Sequence, residues 1–203
     1  MTKILKPLTL TFILLFLGGC ASNTKIIEAV GNEKEIANEC KNQNFNVEID
    51  CYDLISHKNS FAQLRLGIDA QYKGNFKEAM DRFEIAKKQK NFYANALIAE
   101  LYINGFGVEM NDRQAISLLE DAKDLDPIAA YKLSLFYLRD NDISGAIELL
   151  EFAGENGVRD AQSQLVIIYS NSQYIEPDFE KNTYWQSKLD ENNKDFIKEI
   201  YGR

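Results

Sequence analysis

Residues 78–88 read EAMDRFEIAKK, and two later stretches, QAISLLEDAKD at 114–124 and GAIELLEFAGE at 145–155, align with them without gaps. In each stretch an alanine is followed by a bulky apolar residue four positions later, a glutamate five later and a second alanine seven later. The matching sets are Ala79, Phe83, Glu84 and Ala86; Ala115, Leu119, Glu120 and Ala122; and Ala146, Leu150, Glu151 and Ala153. Self-similarity of this kind indicates an array of repeated structural units.

A second series of residues at helical spacing precedes each of these stretches. Its heads are Ala62, Ala94, Ala129 and Ala161; Leu66, Ile98, Leu133 and Leu165 follow four positions later, and Ala70, Tyr102, Tyr137 and Tyr169 four after that. Residues at i, i+4 and i+8 share one face of a helix, so each series predicts an apolar seam. We therefore predict stacked helical hairpins at about residues 62–93, 94–128, 129–160 and 161–192, the last with a degenerate second helix around Asn182, Trp185 and Leu189.

One linker between helices resembles the Sel1-like repeat pattern, and the shorter linkers resemble tetratricopeptide turns. The stretch LYINGFGVEMNDRQA carries that pattern at Leu101, Tyr102, Gly105, Gly107, Val108, Asp112 and Ala115. The glycines can adopt positive φ, and Asp112 is expected to cap the following helix. The resemblance implies an all-α solenoid over residues 60–203, with about four hairpins and a C-terminal capping helix in NNKDFIKEIYGR.

The N-terminus has the order of a cleaved targeting signal. Lys3 and Lys6 precede an apolar run, LTLTFILLFL, which is too short to span a bilayer. The following Leu-Gly-Gly-Cys resembles a bacterial lipobox. This resemblance implies a signal peptide at residues 1–19 and acyl chains on Cys20, and Ala21 implies an outer-membrane, periplasm-facing location. The alternative is an ordinary signal peptide followed by a chance cysteine. Residues 20–32 are expected to be a flexible tether.

Two further cysteines lie in residues 33–59, where short helical patterns at 33–40 and 51–58 predict a helical pair. With Cys20 assigned to lipid, Cys40 and Cys51 remain, and an even number in an oxidising compartment favours a disulfide. Two free thiols are the alternative. A zinc site is not indicated, because neither a CxxC motif nor a suitably spaced histidine accompanies them.

Charge and motif content argue against several function classes. The chain has 31 acidic and 23 basic residues, which disfavours nucleic acid as a partner and attraction to anionic lipid head groups. His57, the one histidine, has no Ser-His-Asp or Cys-His context, and no phosphate-binding or dinucleotide fingerprint occurs. The acidic run at Glu120, Asp121, Asp124 and Asp126 matches no calcium loop. We therefore expect no catalytic residues, no metal and no cofactor.

Solenoids of the tetratricopeptide type bind partners on their concave side, which the first helix of each hairpin lines. The residues expected there as a partner-binding groove are Tyr72, Tyr93, Tyr131, Leu135 and Arg139. Phe61, Leu64 and Ile68 share that face, and the alternative for them is packing on the N-terminal helical pair. The sequence thus predicts a lipid-anchored scaffold or adaptor for another protein in envelope assembly. The alternative is an immunity lipoprotein that neutralises a periplasm-active toxin.

Overall fold

The computed structural model describes residues 17–170, 173–191 and 196–202, with side chains from residue 23 onward. The expected signal peptide up to residue 16 and the Cys20 side chain lie outside the described part. The described residues form eleven helices and no strand. They are α1 Leu17–Asn38, α2 Phe45–Ile55, α3 Ser60–Tyr72, α4 Phe76–Lys88, α5 Tyr93–Asn104, α6 Asp112–Ala122, α7 Pro127–Arg139, α8 Ile143–Glu155, α9 Arg159–Ser170, α10 Phe179–Glu191 and α11 Phe196–Tyr201.

Helices α3 to α10 form four hairpins, each packed on the next, which confirms the all-α solenoid. The repeated alanines lie where the two helices of a hairpin meet, and Ala79, Ala115 and Ala146 are fully buried. A further small residue, absent from the predicted pattern, stands five positions after each of the first three heads: Gly67, Ala99 and Ser134. A methyl group at Gly67 would overlap the Phe83 ring, so the small residue permits the close approach of α3 and α4.

Hydrogen bonds between repeated tyrosines and glutamates join the second hairpin to the third and the third hairpin to the fourth. Tyr137 on α7 donates its hydroxyl proton to Glu120 on α6 at 2.7 Å. Tyr169 on α9 donates in the same way to Glu151 on α8 at 2.8 Å. The repeated glutamates of the second and third hairpins thus accept a hydrogen bond from the tyrosine of the next hairpin. Glu84 and Tyr102, at the same repeat positions of the first two hairpins, form no such bond among the described residues.

The Sel1-like linker has the backbone that its glycines predicted, but its helix cap is one residue earlier than expected. Gly105 and Gly107 have φ of 66° and 70°, which confirms the expectation. The prediction for Asp112 was wrong: Asn111 caps α6, and its side chain accepts a hydrogen bond from the Gln114 amide at 3.0 Å. Asp112 is instead the first helical residue, and its carboxylate pairs with Arg139.

The N-terminal region differs from the expected tether and short helices. In place of a flexible tether at residues 20–32, the chain is helical throughout α1. The reason is an apolar stripe: Ile26, Val30 and Ala37 lie at helical spacing and pack into the core beside α3. No described helix has both the length and the apolar content needed to cross a membrane.

The predicted disulfide between Cys40 and Cys51 is present and links the turn after α1 to α2. Polar contacts add to this link. The Asn59 side-chain amide donates to the Glu33 carbonyl at 2.8 Å, and the Ser60 amide donates to the Glu33 carboxylate at 2.7 Å. Helix α1 is therefore tied both to α2 and to the start of α3.

The short helix α11 lies at the place in the sequence where we expected a capping helix, but it contacts the first hairpin and the start of α5. It packs against α3, more than 120 residues earlier in the chain, and Lys34 of α1 pairs with Glu199 at 2.8 Å. Ile200 and Tyr201 are buried. Both ends of the described chain therefore cover α3.

Candidate protein-binding face

The first helices of three successive hairpins, α3, α5 and α7, form one continuous face. It contains a cleft of about 500 Å³, which we call the first cleft. Ile68, Leu97, Ile128 and Tyr131 supply much of its apolar lining. Its remaining lining residues are Gln71, Tyr72, Phe76, Glu100, Phe106, Lys132, Asp160, Ile197 and Tyr201. A cleft of this volume, mainly apolar with a few polar groups, has the general character of a ligand or peptide site.

A line of three polar side chains crosses this face from one hairpin to the next. Glu100 on α5 accepts a hydrogen bond from the Gln71 amide on α3 at 3.1 Å. Its other carboxylate oxygen pairs with the Lys132 ammonium on α7 at 2.9 Å. Because Glu100 and Lys132 also line a neighbouring cleft, this polar line separates two adjacent openings.

The second cleft has a volume of about 460 Å³ and lies toward the C-terminal ends of α5 and α7. Leu135, Phe136 and Arg139 line it together with Ile103 and Asn104. The Arg139 guanidinium lies 4.8 Å from the centre of the Phe136 ring and 2.6 Å from the Asp112 carboxylate. That hydrogen bond with Asp112 raises the pKa of Arg139. The second cleft is thus open and has a fixed cation at its rim.

Tyr93, at the start of α5, is covered by α11 rather than open to solvent. The Phe196 ring lies 6.4 Å from the Tyr93 ring between centroids, and the Tyr201 hydroxyl donates to the Tyr93 carbonyl at 3.5 Å. Burial, followed by the nearby Asp126 carboxylate, raises the pKa of Tyr93. The same two causes raise the pKa of Tyr201.

Asp126 is a fully buried carboxyl group beneath this covered region. One of its oxygens accepts a hydrogen bond from the Ile128 amide at 2.8 Å and caps α7, whereas Oδ2 has no hydrogen-bond partner. Burial raises the pKa of Asp126 to about 7. The equivalent positions in the first two hairpins carry Asn59 and Asn91, which are uncharged. Asp126 is therefore a titrating group at a site where the first two repeats use a neutral amide and the fourth has Val158.

The predicted groove residues are divided among three places. Tyr72 and Tyr131 line the first cleft, Leu135 and Arg139 line the second, and Tyr93 lies under α11. Phe61, Leu64 and Ile68 are buried, as the packing alternative for them expected, although Ile68 also reaches the first cleft.

The sequence prediction missed Gln71 and Lys132, which complete the polar line, and it missed the position of α11. Gln71, Glu100 and Lys132 stand nine, six and three residues after the head alanines of their helices, so no recurring position marked the polar line in the sequence. A contact between α11 and α3 leaves no local signal, because it joins segments far apart in the chain.

The described residues hold no group of three or more His, Cys, Asp or Glu side chains arranged to bind a metal ion. His57 is exposed, and its Nδ1 lies 3.2 Å from the Leu54 carbonyl at the end of α2. It is therefore not placed beside either cleft.

Comparison with solved structures identifies the fold. A Sel1 repeat protein from Oxalobacter formigenes aligns with a TM-score of 0.64 and 22% identity, over 88% of this chain and 77% of that one. A protective antigen present in uropathogenic Escherichia coli strains, which displays an SLR fold, aligns with a TM-score of 0.63 and 21% identity, over 83% of this chain and 40% of that one. No family model and no curated protein sequence matches the chain. The chain has the Sel1-like repeat fold.

Proposed function

We propose that this protein is a lipid-anchored adaptor of the bacterial envelope, which holds another protein on the face formed by α3, α5 and α7. The observation that carries this proposal is the pair of adjacent clefts on that face. Sel1-like solenoids present such a face as a binding surface because stacked hairpins leave it uncovered over several repeats. The partner would contact Tyr72 and Tyr131 in the first cleft and Leu135 and Arg139 in the second.

The composition of the face supports a protein rather than a small molecule as the ligand. Tyr72 is 69% exposed and Leu135 is 40% exposed, and the two residues belong to different clefts. Exposed aromatic and aliphatic side chains beside a fixed arginine are typical of protein-binding surfaces. A partner that spans both clefts would cross the line formed by Gln71, Glu100 and Lys132. The polar line would then act as the hydrogen-bonding centre of the interface.

The proposed anchor is a diacylglyceryl group on Cys20, with acyl chains such as palmitate. The lipobox resemblance at Leu17-Gly18-Gly19-Cys20 supports it, and Ala21 supports the outer membrane, facing the periplasm. More than one acyl chain makes membrane attachment lasting. Mass spectrometry of the N-terminal peptide tests this part of the proposal: a lipidated Cys20 supports it, and an unmodified peptide from processed protein contradicts it.

The adaptor role is tested by crosslinking a tagged chain in intact cells and identifying captured proteins by mass spectrometry. We compare the unsubstituted chain with a Tyr131→Ala/Leu135→Ala variant, which removes one side chain from each cleft. Ile85→Ala is the matched control, since Ile85 is a partly exposed apolar residue on α4, outside both clefts. A specific protein lost only in the double variant supports the proposal. A capture pattern identical in all three chains contradicts the assigned face.

The identity of the captured protein decides between the two functional classes. Capture of a polysaccharide or cell-wall assembly component supports an envelope scaffold. Capture of a toxin added from competing cells, with protection of the host that depends on Tyr131 and Leu135, supports an immunity protein instead.

A further inference from the structure

Helix α11 covers a surface that belongs to the proposed binding face. Its buried residues Ile200 and Tyr201 pack against the solenoid, and its Phe196 ring lies beside Tyr93. Tyr93 begins α5, whose later residues Leu97 and Glu100 line the first cleft. The covered surface and the open cleft are therefore neighbouring parts of one face.

The same helix forms a wall of the open cleft. Ile197 and Tyr201 line the first cleft together with Tyr131 and Lys132. Moving α11 away would join the first cleft to the surface around Tyr93 and Arg65. The face available to a partner is thus larger without α11 than with it.

The polar groups beneath α11 are incompletely paired, which is unusual for a permanent core contact. Arg65 is 6% exposed, and its Nη2 donates to the Glu199 carbonyl at 3.2 Å. Its Nε has no hydrogen-bond partner, and no carboxylate of the described residues forms an ion pair with it. Burial lowers the pKa of Arg65, with opposing contributions from Tyr52 and Glu48. A buried cation that no described carboxylate pairs with directly favours an incoming carboxylate.

The chain passes very close to this arginine just after α11. Gly202 has φ of 83°, and any side chain at this position would collide with the Arg65 guanidinium. A carboxylate placed where the backbone of Gly202 lies would therefore be adjacent to Arg65.

We propose that α11 occupies part of the partner site in cis, and that a partner enters by displacing it with an aliphatic-aromatic segment that carries a carboxylate for Arg65. The inference rests on the proposed function. The first cleft would then be the entry point, because a partner can bind there before α11 leaves.

The expected competition follows from the effective concentration of a segment held on the same chain, which is on the order of 1 mM. A free peptide that binds the uncovered surface with Kd of about 0.1 mM would then be weakened about tenfold when α11 is in place. A difference of that size is readily measured by fluorescence anisotropy.

The probe is a labelled peptide of residues 196–202, FIKEIYG, with a free C-terminal carboxylate, titrated with the full chain. An Ile200→Asp variant should release α11, since it places a charge in the buried contact. We expect this variant to bind the peptide at least about tenfold more tightly than the unsubstituted chain, because α11 no longer competes with the peptide. Lys198→Gln is the matched control, since Lys198 is an exposed residue of the same helix, and it should bind like the unsubstituted chain.

Arg65 is tested with the same peptide in amidated form. The free carboxylate should bind the Ile200→Asp chain about threefold more tightly than the amide, as a single ion pair allows. Adding Arg65→Gln should abolish this difference. Equal affinities of the two peptides for the Ile200→Asp chain would overturn the carboxylate assignment.

Circular dichroism checks that each variant folds, and Tyr201→Ala replaces Ile200→Asp if the latter does not. Absence of peptide binding to a folded variant, or equal binding to the variant and the unsubstituted chain, would overturn the proposal. This failure is distinct from failure of the adaptor role. If a partner is captured equally with and without Ile200→Asp, the adaptor role stands and displacement of α11 is rejected. If the peptide competes with α11 but no partner is captured, displacement stands and the adaptor role is rejected.

Discussion

Two isoleucines at the same position of the repeat have opposite environments. Ile68 in the first hairpin and Ile167 in the fourth each stand six residues after the head alanine of their helix. Ile68 is 6% exposed, and Ile167 is 47% exposed. The sequence pattern around them is alike, so the difference comes from what the rest of the chain places over each hairpin.

The first hairpin is covered by segments from both ends of the described chain, whereas the fourth has fewer neighbours. Helices α1, α2 and α11 all pack on α3, and every residue from 60 to 70 is buried. In the fourth hairpin, Phe179 is 81% exposed and Tyr184 is 44% exposed. A solenoid needs covered ends because its terminal repeats lack one neighbour. This chain covers one end thoroughly.

The largest expected effect comes from truncating the two isoleucines. Ile68→Ala should lower the free energy of unfolding by about 4 kcal/mol, because it removes buried methyl groups from a packed core. Ile167→Ala should change it by less than about 1 kcal/mol, since that side chain remains half exposed. Urea denaturation measures both values. Similar losses in the two variants would contradict the contrast between the covered and the open end.

The buried carboxyl of Asp126, which lies near Tyr93 and Tyr201 in the region that α11 covers, predicts a pH dependence. Its pKa rises from 3.8 to about 7 because of burial, so the folded state binds its proton more tightly than the unfolded state. The free energy of unfolding should therefore fall as the pH rises from about 4 to about 7, by an upper bound of about 4 kcal/mol at about 1.4 kcal/mol per pKa unit.

Asp126→Asn should remove this component of the pH dependence and raise stability at pH 8. Asparagine retains the cap of α7, as Asn59 and Asn91 do at the equivalent positions. Thermal unfolding of both chains at pH 5 and pH 8 measures the effect. A pH slope that persists unchanged in the variant would show that Asp126 is not the responsible group.

The disulfide should contribute about 3 kcal/mol, the value for closing a short loop in the unfolded chain. A Cys40→Ser/Cys51→Ser variant should lose that amount and should loosen α1 and α2 from the first hairpin. Urea denaturation with and without reductant provides the measurement, since reductant should destabilise the unsubstituted chain only. Hydrogen exchange should then increase in α1 and α2 before it increases in α9 and α10.

The smallest effect concerns the bond between neighbouring hairpins. Tyr137→Phe should lower the free energy of unfolding by about 1 kcal/mol through loss of its hydrogen bond to Glu120. Tyr102→Phe is the matched control, because Tyr102 has the same repeat position and forms no side-chain hydrogen bond among the described residues. Equal changes in the two variants would show that the bond to Glu120 contributes nothing.

Local sequence patterns predicted most of the helices in the middle of the chain. Errors occurred where two neighbouring residues suit the same structural role almost equally well. The burial of the alanine seams and the positive φ of Gly105 and Gly107 were predictable, because a close helix contact or a positive φ leaves few residue choices. Asn111 and Asp112 are both good capping residues, and sequence alone could not rank them. The helical α1 was missed because its apolar positions are widely spaced and stabilise a helix only when α3 is present to cover them.

The sequence predicted most residues of the candidate site but not how they are divided between the two clefts. Tyr72, Tyr131, Leu135 and Arg139 do lie on one face, because they occupy related positions of successive first helices. Their division into two clefts depends on the side chains of Glu100 and Lys132, which meet only after the hairpins stack. The covering of Tyr93 depends on a helix from the other end of the chain.

The sequence by itself determined the repeat length, the helical hairpins and the seam residues, and it favoured a disulfide between Cys40 and Cys51 over two free thiols. The first three follow from local periodicity and from the few residues that a tight helix contact permits. Only the tertiary structure decided which hairpin is covered, where α11 docks and that Asp126 is buried with no hydrogen bond to its Oδ2. Contacts between distant segments bury apolar side chains away from water, and no local sequence pattern indicates which segment will form them.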